Sequence, residues 1–187
     1  PHNIMEELID FDQVDIQWGN HDIVWMGAAL GNEACMASVL RNAIRYNGFD
    51  SLEDGYSIHI RILNDFAEVV YGDDPCEPFK SKRFDENIYD IVDDDQAARM
   101  HKAVAILEFK LEGQLLKRHP EYDMDDRIVL EKIDYEKGVF IHEGIEYPLK
   151  DTNFPTIDPE DPLELSPQEK DLMRSIIASF THSEPLK

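Results

Sequence analysis

The residues best suited to chemistry in this sequence are Asn20, His21 and Asp22, which stand directly after a glycine. An asparagine carboxamide oxygen can ligate a hard divalent cation, and an imidazole beside it can donate a proton to a phosphoryl or leaving-group oxygen. The Asp22 carboxylate can accept a hydrogen bond from that imidazole and fix its orientation. In a two-metal site the cations activate a water and clamp the phosphoryl oxygens, so the protein mainly places ligands and a proton donor. These three residue types could therefore serve metal-dependent phosphoryl chemistry.

The same motif also has a purely structural interpretation. Asn and Asp are favoured at helix N-termini and in tight turns, so Gly-Asn-His-Asp could be a polar turn that caps the following helix. The four-residue motif alone is compatible with both the structural and the chemical interpretation.

The motif is predicted to lie between a strand and a helix. Val14, Ile16 and Trp18 alternate with polar residues, which is typical of a strand, and Gly19 allows a sharp turn. Apolar residues then recur at helical spacing, at Ile23, Met26, Leu30, Ala34, Ala37, Leu40 and Ile44. In an open α/β sheet, ligands collect beyond the carboxyl ends of the strands, where helix N-termini present free N–H groups. The motif occupies such a position.

The middle of the chain is predicted to contain two more helices with a loop at residues 80–91. The first begins near Ser57 and ends near Gly72. Its expected apolar face comprises Ile58, Ile62, Phe66, Val69 and Val70. The next helix begins at the acidic triplet of residues 93–95, where negative charge favours a helix N-terminus, and ends at Lys117 and Arg118.

The sequence changes character after Pro120. Three short strand-like runs, at residues 128–135, 139–142 and 145–149, predict a small antiparallel meander. The three prolines of residues 151–162 exclude a long helix or an inner strand, which predicts an extended surface connection. Ser166 and Glu169 then have the spacing of a capping box, which predicts a final helix.

The strongly acidic composition limits the possible partners. Lys and Arg number 18 against 40 Asp and Glu, so the formal net charge is −22. This field repels nucleic acid and anionic membranes, so we expect neither as a partner. An anionic substrate would need cations from bound metal or from basic residues elsewhere. The short basic cluster of Lys80, Lys82 and Arg83 is either a contact for a sugar phosphate or effector or, more simply, a solvated loop.

The cysteines and the hydropathy pattern favour the cytoplasm. Cys35 and Cys76 form no Cys-x-x-Cys pair, which argues against a disulfide framework and for a reducing compartment. The uncharged stretch of residues 23–32 is shorter than the roughly 18 apolar residues that a membrane span needs. The sequence begins at Pro1 without a methionine, and we interpret it as a piece of a longer protein.

Longer runs of the sequence resemble one enzyme family. The Gly-Asn-His-Asp motif is similar to the third signature of the calcineurin-like metallophosphoesterases. Residues 14–29 and 31–35 around it resemble the class III, Firmicutes-type fructose-1,6-bisphosphatases. Further resembling runs lie at residues 52–56, 132–135 and 151–162. The resemblance therefore extends over most of the chain.

This resemblance implies a manganese-dependent enzyme that removes the 1-phosphate of fructose 1,6-bisphosphate in gluconeogenesis. It also implies that Asn20 is a metal ligand, that His21 is the catalytic proton donor, and that Asp22 orients His21. The family's Asp-x-His and Gly-Asp-x-x-Asp-Arg-Gly signatures and its later histidine ligands do not occur in this sequence. Because those signatures hold most of the ligands, we expect the two-metal Mn²⁺ site to be empty, and the isolated chain to be inactive.

The expected fold class is mainly helical α+β, within a larger metallophosphoesterase α/β sandwich that the resemblance implies. We predict a single fragment domain with four parts. They are a strand, loop and helix in residues 1–48, a helical insertion in 49–126, a β-meander in 127–150, and an extended linker and helix in 151–187.

Two other functions stay open. The region could be an assembly or effector-binding module of the enzyme, or the metallophosphoesterase chemistry could act on another phosphoester. The expected partners are a sugar bisphosphate substrate, the missing segments of the same polypeptide, and a second copy of the chain in a homo-oligomer.

Overall fold

The computed structural model describes residues 2–11, 13–15, 17–81 and 92–186, which are mainly helical with one small sheet. The helices are α1 (His2–Ile9), α2 (Asn20–Ala29), α3 (Glu33–Arg45), α4 (Arg61–Tyr71), α5 (Asp94–Arg118) and α6 (Pro167–His182). The strands are β1 (Ile133–Asp134), β2 (Val139–His142) and β3 (Ile145–Pro148). Short 3₁₀ turns and one π-helical turn lie between them, and one more 3₁₀ turn follows α6. The expected mainly helical α+β class is confirmed.

The central helix is α5, and its sequence explains both of its ends. Asp93 caps it by accepting hydrogen bonds from the backbone N–H groups of Asp95 and Gln96, at 3.1 and 3.0 Å. Lys117 and Arg118 lie in the last turn, where positive charge interacts favourably with the helix dipole. α3 and α4 pack against α5, which buries side chains on most of its circumference. The helix predicted at this position is confirmed.

Two apolar clusters share α5. The larger one combines buried side chains from α2, α3, α4, α5 and α6. The smaller one comprises Ile106, Leu116, Ile128, Leu130, Ile157 and Leu163. Burial of each such side chain contributes on the order of 1.5–3 kcal/mol. Because α5 belongs to both clusters, it joins the helices to the segments around the meander.

The three strands form an antiparallel meander in the order β1-β2-β3, as predicted. Residues Glu143 and Gly144 connect β2 to β3 with φ angles of 50° and 78°, which suits the tight two-residue turns that require positive φ. The first strand is shorter than predicted, because residues 125–127 and 130–132 form 3₁₀ turns. These turns place Ile128 and Leu130 in the smaller apolar cluster.

The strand predicted at residues 14–18 is wrong. Val14, Asp15, Gln17 and Trp18 have no regular structure, and Trp18 is 63% exposed. A strand persists only when a neighbour completes its hydrogen-bond ladder, and the described sheet consists of β1, β2 and β3 alone. The alternation of apolar and polar residues at 14–18 is therefore not accompanied by a strand in the described residues.

The single helix predicted across residues 23–44 is divided into α2 and α3. Gly31 has φ +94°, a left-handed conformation that glycine adopts without steric cost, and it separates the two helices. Asn32 then caps α3, because its side-chain oxygen accepts a hydrogen bond from the Cys35 N–H at 3.0 Å. The break lies within an uninterrupted apolar pattern, which is why periodicity did not reveal it.

The apolar face predicted for α4 is partly wrong. Its buried residues are Leu63, Ala67 and Tyr71, which follow one another at four-residue spacing. Ile62 and Val69 are 49% and 78% exposed. The helix is thus rotated relative to the prediction, because the Leu63 face packs on α5.

Of the loop predicted at 80–91, residues 82–91 lie outside the described part, and Lys80 and Ser81 have no regular structure.

The proline-rich segment of residues 151–162 has no helix, as predicted, but it is more than a surface connection. Thr156 and Ile157 are buried against the rest of the molecule. The helix predicted after it is confirmed as α6. Ser166 accepts a hydrogen bond from the Glu169 N–H, and the Glu169 carboxylate accepts one from the Ser166 N–H, which is the predicted capping box.

Candidate active site

The Gly-Asn-His-Asp motif begins α2, and its residues are exposed. The Gly19 N–H donates a hydrogen bond to Asp22 Oδ2 at 2.7 Å. This bond closes the first turn of the helix, and the carboxylate also interacts favourably with the positive end of the helix dipole. The described contact of Asp22 is therefore with the backbone of Gly19, whereas the sequence predicted a contact with the imidazole of His21.

Asn20 and His21 lie in the first turn of α2 with exposed side chains. The first N–H groups of a helix have no partner inside the helix, so an anion at this end can receive hydrogen bonds from them. A carboxamide, an imidazole and free N–H groups thus lie at one exposed helix end. Within the described residues, no group of three or more His, Cys, Asp or Glu could hold a metal ion.

Apolar side chains around the motif are exposed in unusual number. Nine of the sixteen large apolar side chains that are exposed in the described chain lie before residue 31. We refer to these residues together as the N-terminal apolar surface: Ile4, Leu8, Ile9, Phe11, Val14, Trp18, Ile23, Met26 and Leu30. Soluble proteins rarely expose apolar residues so densely unless another surface covers them.

The opposite situation occurs on α5, where two lysines are completely buried. The ammonium of Lys102 donates to Asp74 Oδ2 at 2.6 Å and to Asp151 Oδ2 at 2.7 Å. The aromatic rings of Tyr71, Phe79 and Phe154 surround it, with centroids 5.1, 6.0 and 5.6 Å from the Nζ atom. A buried ammonium requires such compensation, because an unpaired charge in an apolar interior is very costly.

Lys110 lies two turns further along α5 and is also fully buried. Its ammonium donates to Glu169 Oε2 at 2.7 Å and to the backbone carbonyl of Thr156 at 2.6 Å. Glu169 is the capping-box residue of α6, so one carboxylate both begins α6 and attaches it to α5. The two lysines therefore hold the proline-rich segment and α6 against the central helix.

Asp74 is the most strongly perturbed carboxylate of this network. Burial would raise its pKa, but hydrogen bonds from Lys102, the Cys76 N–H and the Asn153 side chain lower it to about 2. Asp74 therefore stays ionised and serves to neutralise Lys102. Its role in the described chain is structural.

Sequence reasoning did not identify the buried lysines. Lys102 and Lys110 occur in a helix that is rich in charged residues, and lysines at such positions usually face solvent. Their acidic partners lie 28 to 59 residues away along the chain. No local sequence signal could have revealed these pairs.

Comparison with known proteins shows which enzymes this chain is similar to. The family model described as Firmicute fructose-1,6-bisphosphatase matches residues 1–187. Proteins named fructose-1,6-bisphosphatase class 3 are 52% identical in Bacteroides fragilis and 50% identical in Fusobacterium nucleatum, each over 187 residues and all of this chain. One from Listeria innocua is 47% identical over the whole chain. No solved structure matches the chain significantly.

The chain spans only 28% of the length of the relatives from Bacteroides fragilis and Fusobacterium nucleatum. The matched part contains the Gly-Asn-His-Asp motif, the central helix α5 and both buried lysines. In the described part of the chain, no helix combines the length and the apolar character that crossing a membrane requires.

Proposed function

Since this chain belongs to the Firmicute fructose-1,6-bisphosphatase family, we propose that the whole protein hydrolyses fructose 1,6-bisphosphate to fructose 6-phosphate and phosphate. The observation that best supports a role for this chain is the exposed position of Asn20 and His21 in the first turn of α2. A proton donor must reach substrate, and a buried imidazole at this position would have opposed the proposal.

The motif residues have distinct roles in this proposal. Asn20 offers a carboxamide oxygen, whose chemistry suits a hard divalent cation such as Mn²⁺. When bound, the metal pair supplies an activated water and neutralises phosphoryl charge. His21 donates a proton to the leaving oxygen, and free N–H groups of α2 contribute hydrogen bonds to the phosphate. Asp22 keeps the first turn in place through the Gly19 N–H, and thereby positions both side chains.

The remaining metal ligands belong, in this proposal, to other segments of the whole protein. The described residues provide no acidic or histidine group of three or more for a metal, so Asn20 is one ligand of a composite site. The N-terminal apolar surface supports this arrangement, because its exposed side chains precede and follow the motif in the sequence and another part of the protein would cover them. The partner of this chain is thus the remainder of the same polypeptide.

The proposed location is the cytoplasm. Cys35 and Cys76 are both free thiols, and Cys76 is completely buried. Burial raises the pKa of the Cys76 thiol to about 12, which makes it unreactive. Two unpaired cysteines suit a reducing compartment.

The proposal is tested by measuring the activity of the full-length protein after His21 is replaced. We expect His21→Ala to lower kcat for fructose 1,6-bisphosphate by about 10²-fold to 10⁴-fold, because a positioned proton donor contributes on this scale. The matched control is His59→Ala, which removes another exposed imidazole outside the motif. The thermal stability of both variants should equal that of the parent. Equal activity of the His21 variant and the parent would refute the proposed role.

The 187-residue chain provides a second test. With Mn²⁺ and fructose 1,6-bisphosphate it should release no phosphate above the level of its own His21→Ala variant, because one asparagine cannot assemble a metal pair. Metal-dependent release that His21→Ala abolishes would mean that the chain holds a complete site.

A further inference from the structure

A small cavity between α3, α5 and the turn of residues 77–79 has an unusual lining for so acidic a protein. Its volume is about 210 Å³. The residues that line it are Arg41, Arg45, Pro78, Phe79, Lys80, His101, Ala105 and Phe109. Among these described residues three are cationic and none is acidic, although acidic residues outnumber basic ones 40 to 18 in the chain. This local reversal of charge would attract an anion that the rest of the surface repels.

The two arginines of the cavity differ in how they are paired. Arg41 Nη1 lies 2.8 Å from Glu108 Oε2, but its buried Nε has no hydrogen-bond partner among the described atoms. Arg45 stacks on Tyr46, with 5.8 Å from its guanidinium carbon to the ring centroid, and forms no ion pair within the described residues. Unpaired N–H donors in a guanidinium match the geometry of phosphate oxygens.

The other polar groups of the cavity are Lys80 and His101. Lys80 contributes a third ammonium, which Glu77 and Asp95 partly neutralise at 2.8 and 3.7 Å. His101 is buried and its Nδ1 lies 2.7 Å from the carbonyl of Phe79. Burial lowers the pKa of His101, and the nearby Arg41 and Arg45 lower it further, so both guanidinium groups act on this ring.

We propose that this cavity binds the phosphate group of a small phosphate monoester, with Arg45, Arg41 and Lys80 as the contacts. The cavity is smaller than the roughly 300 Å³ of sites for drug-sized ligands, so it would hold the phosphate and only a small part of its substituent. None of its residues belongs to the Gly-Asn-His-Asp motif. The proposal therefore does not depend on the proposed catalytic function.

An NMR titration of the 187-residue chain tests this site. Methyl phosphate and inorganic phosphate are added at constant ionic strength, with potassium chloride as the reference salt. We expect saturable shifts of the amides that line the cavity and of the His101 ring, with methyl phosphate binding at least as tightly as inorganic phosphate. Shifts no larger than those with chloride would overturn the site, and binding of inorganic phosphate alone would overturn the monoester assignment.

Substitutions of the cavity residues test whether methyl phosphate binds in the cavity. Arg45→Gln should weaken methyl phosphate binding about tenfold, because one charge-assisted contact is lost, and Lys80→Gln should weaken it less. Arg174→Gln is the matched control, since it removes an exposed arginine of α6 that pairs with Asp171. The spectrum of each variant without ligand shows whether it is folded. Parental affinity in both cavity variants, or an equal loss in the control, would refute the proposal.

Discussion

The first thirty residues and the central helix α5 place their side chains in opposite ways. Near the motif, apolar residues such as Trp18 and Leu30 are exposed, at 63% and 87%. On α5, the charged residues Lys102 and Lys110 are completely buried and paired. The two buried ammonium groups of α5 find carboxylate partners within the described chain, whereas the side chains of the N-terminal apolar surface remain exposed in it. The region around α5 is therefore self-contained in its buried ion pairs, whereas the first thirty residues leave apolar side chains exposed.

The largest effect that would test this contrast comes from Lys110. Replacing it with methionine leaves the Glu169 carboxylate buried without its ammonium, which should lower the free energy of unfolding by about 3–5 kcal/mol. Urea denaturation of the 187-residue chain measures this loss. The exposed Lys170→Met variant is the control and should change stability by less than about 0.5 kcal/mol. A Lys110→Met variant as stable as the parent would show that α5 does not depend on this pair.

The two tryptophans that flank the motif show the same contrast between buried and exposed side chains within the first thirty residues. Trp25 packs against the core and its ring lies 4.7 Å from that of Tyr56, while Trp18 is exposed. In the 187-residue chain, Trp25→Ala should cost about 2–3 kcal/mol and Trp18→Ala less than about 0.5 kcal/mol. In the full-length protein, Trp18→Ala should become destabilising by about 1–3 kcal/mol, because the surface is then covered. If Trp18→Ala is neutral in both proteins, the N-terminal apolar surface has no partner in the polypeptide.

The smallest effect is the pH dependence of the Lys102 network. The pKa of Asp74 in the folded chain is about 2, below its ordinary value of 3.8, so the unfolded state binds more protons in acid. The contribution of ionised Asp74 to the free energy of unfolding is therefore complete above about pH 4. This contribution, roughly 2 kcal/mol, is lost as the pH falls towards 2. Unfolding curves between pH 2 and 5 measure this loss. Asp74→Asn should flatten the dependence, whereas the exposed Asp73→Asn should leave it unchanged.

Local signals predicted the self-contained part of the fold well. α5 and α6 begin at capping residues, Asp93 and Ser166, whose hydrogen bonds involve only neighbours in sequence. The turns of the meander are equally local. Such features depend on a few adjacent residues, and one sequence is enough to specify them.

The remaining features depend on contacts between distant segments. The strand predicted at residues 14–18 lacks a partner in the described chain, and the rotation of α4 follows from its packing on α5. For the candidate site, the sequence located the motif, but the hydrogen bond between Gly19 and Asp22 was not anticipated. The basic cavity was missed because its arginines, Lys80 and His101 come from three separate segments.

The contact between Lys110 and Glu169 has a further consequence for how the molecule opens. If α6 detached, the Lys110 ammonium would be left in the interior without its Glu169 partner. Partial unfolding of the C-terminal end is therefore strongly disfavoured. The amide protons of α5 and α6 should therefore exchange with solvent together, as one cooperative unit, although 59 residues separate the two charges along the chain.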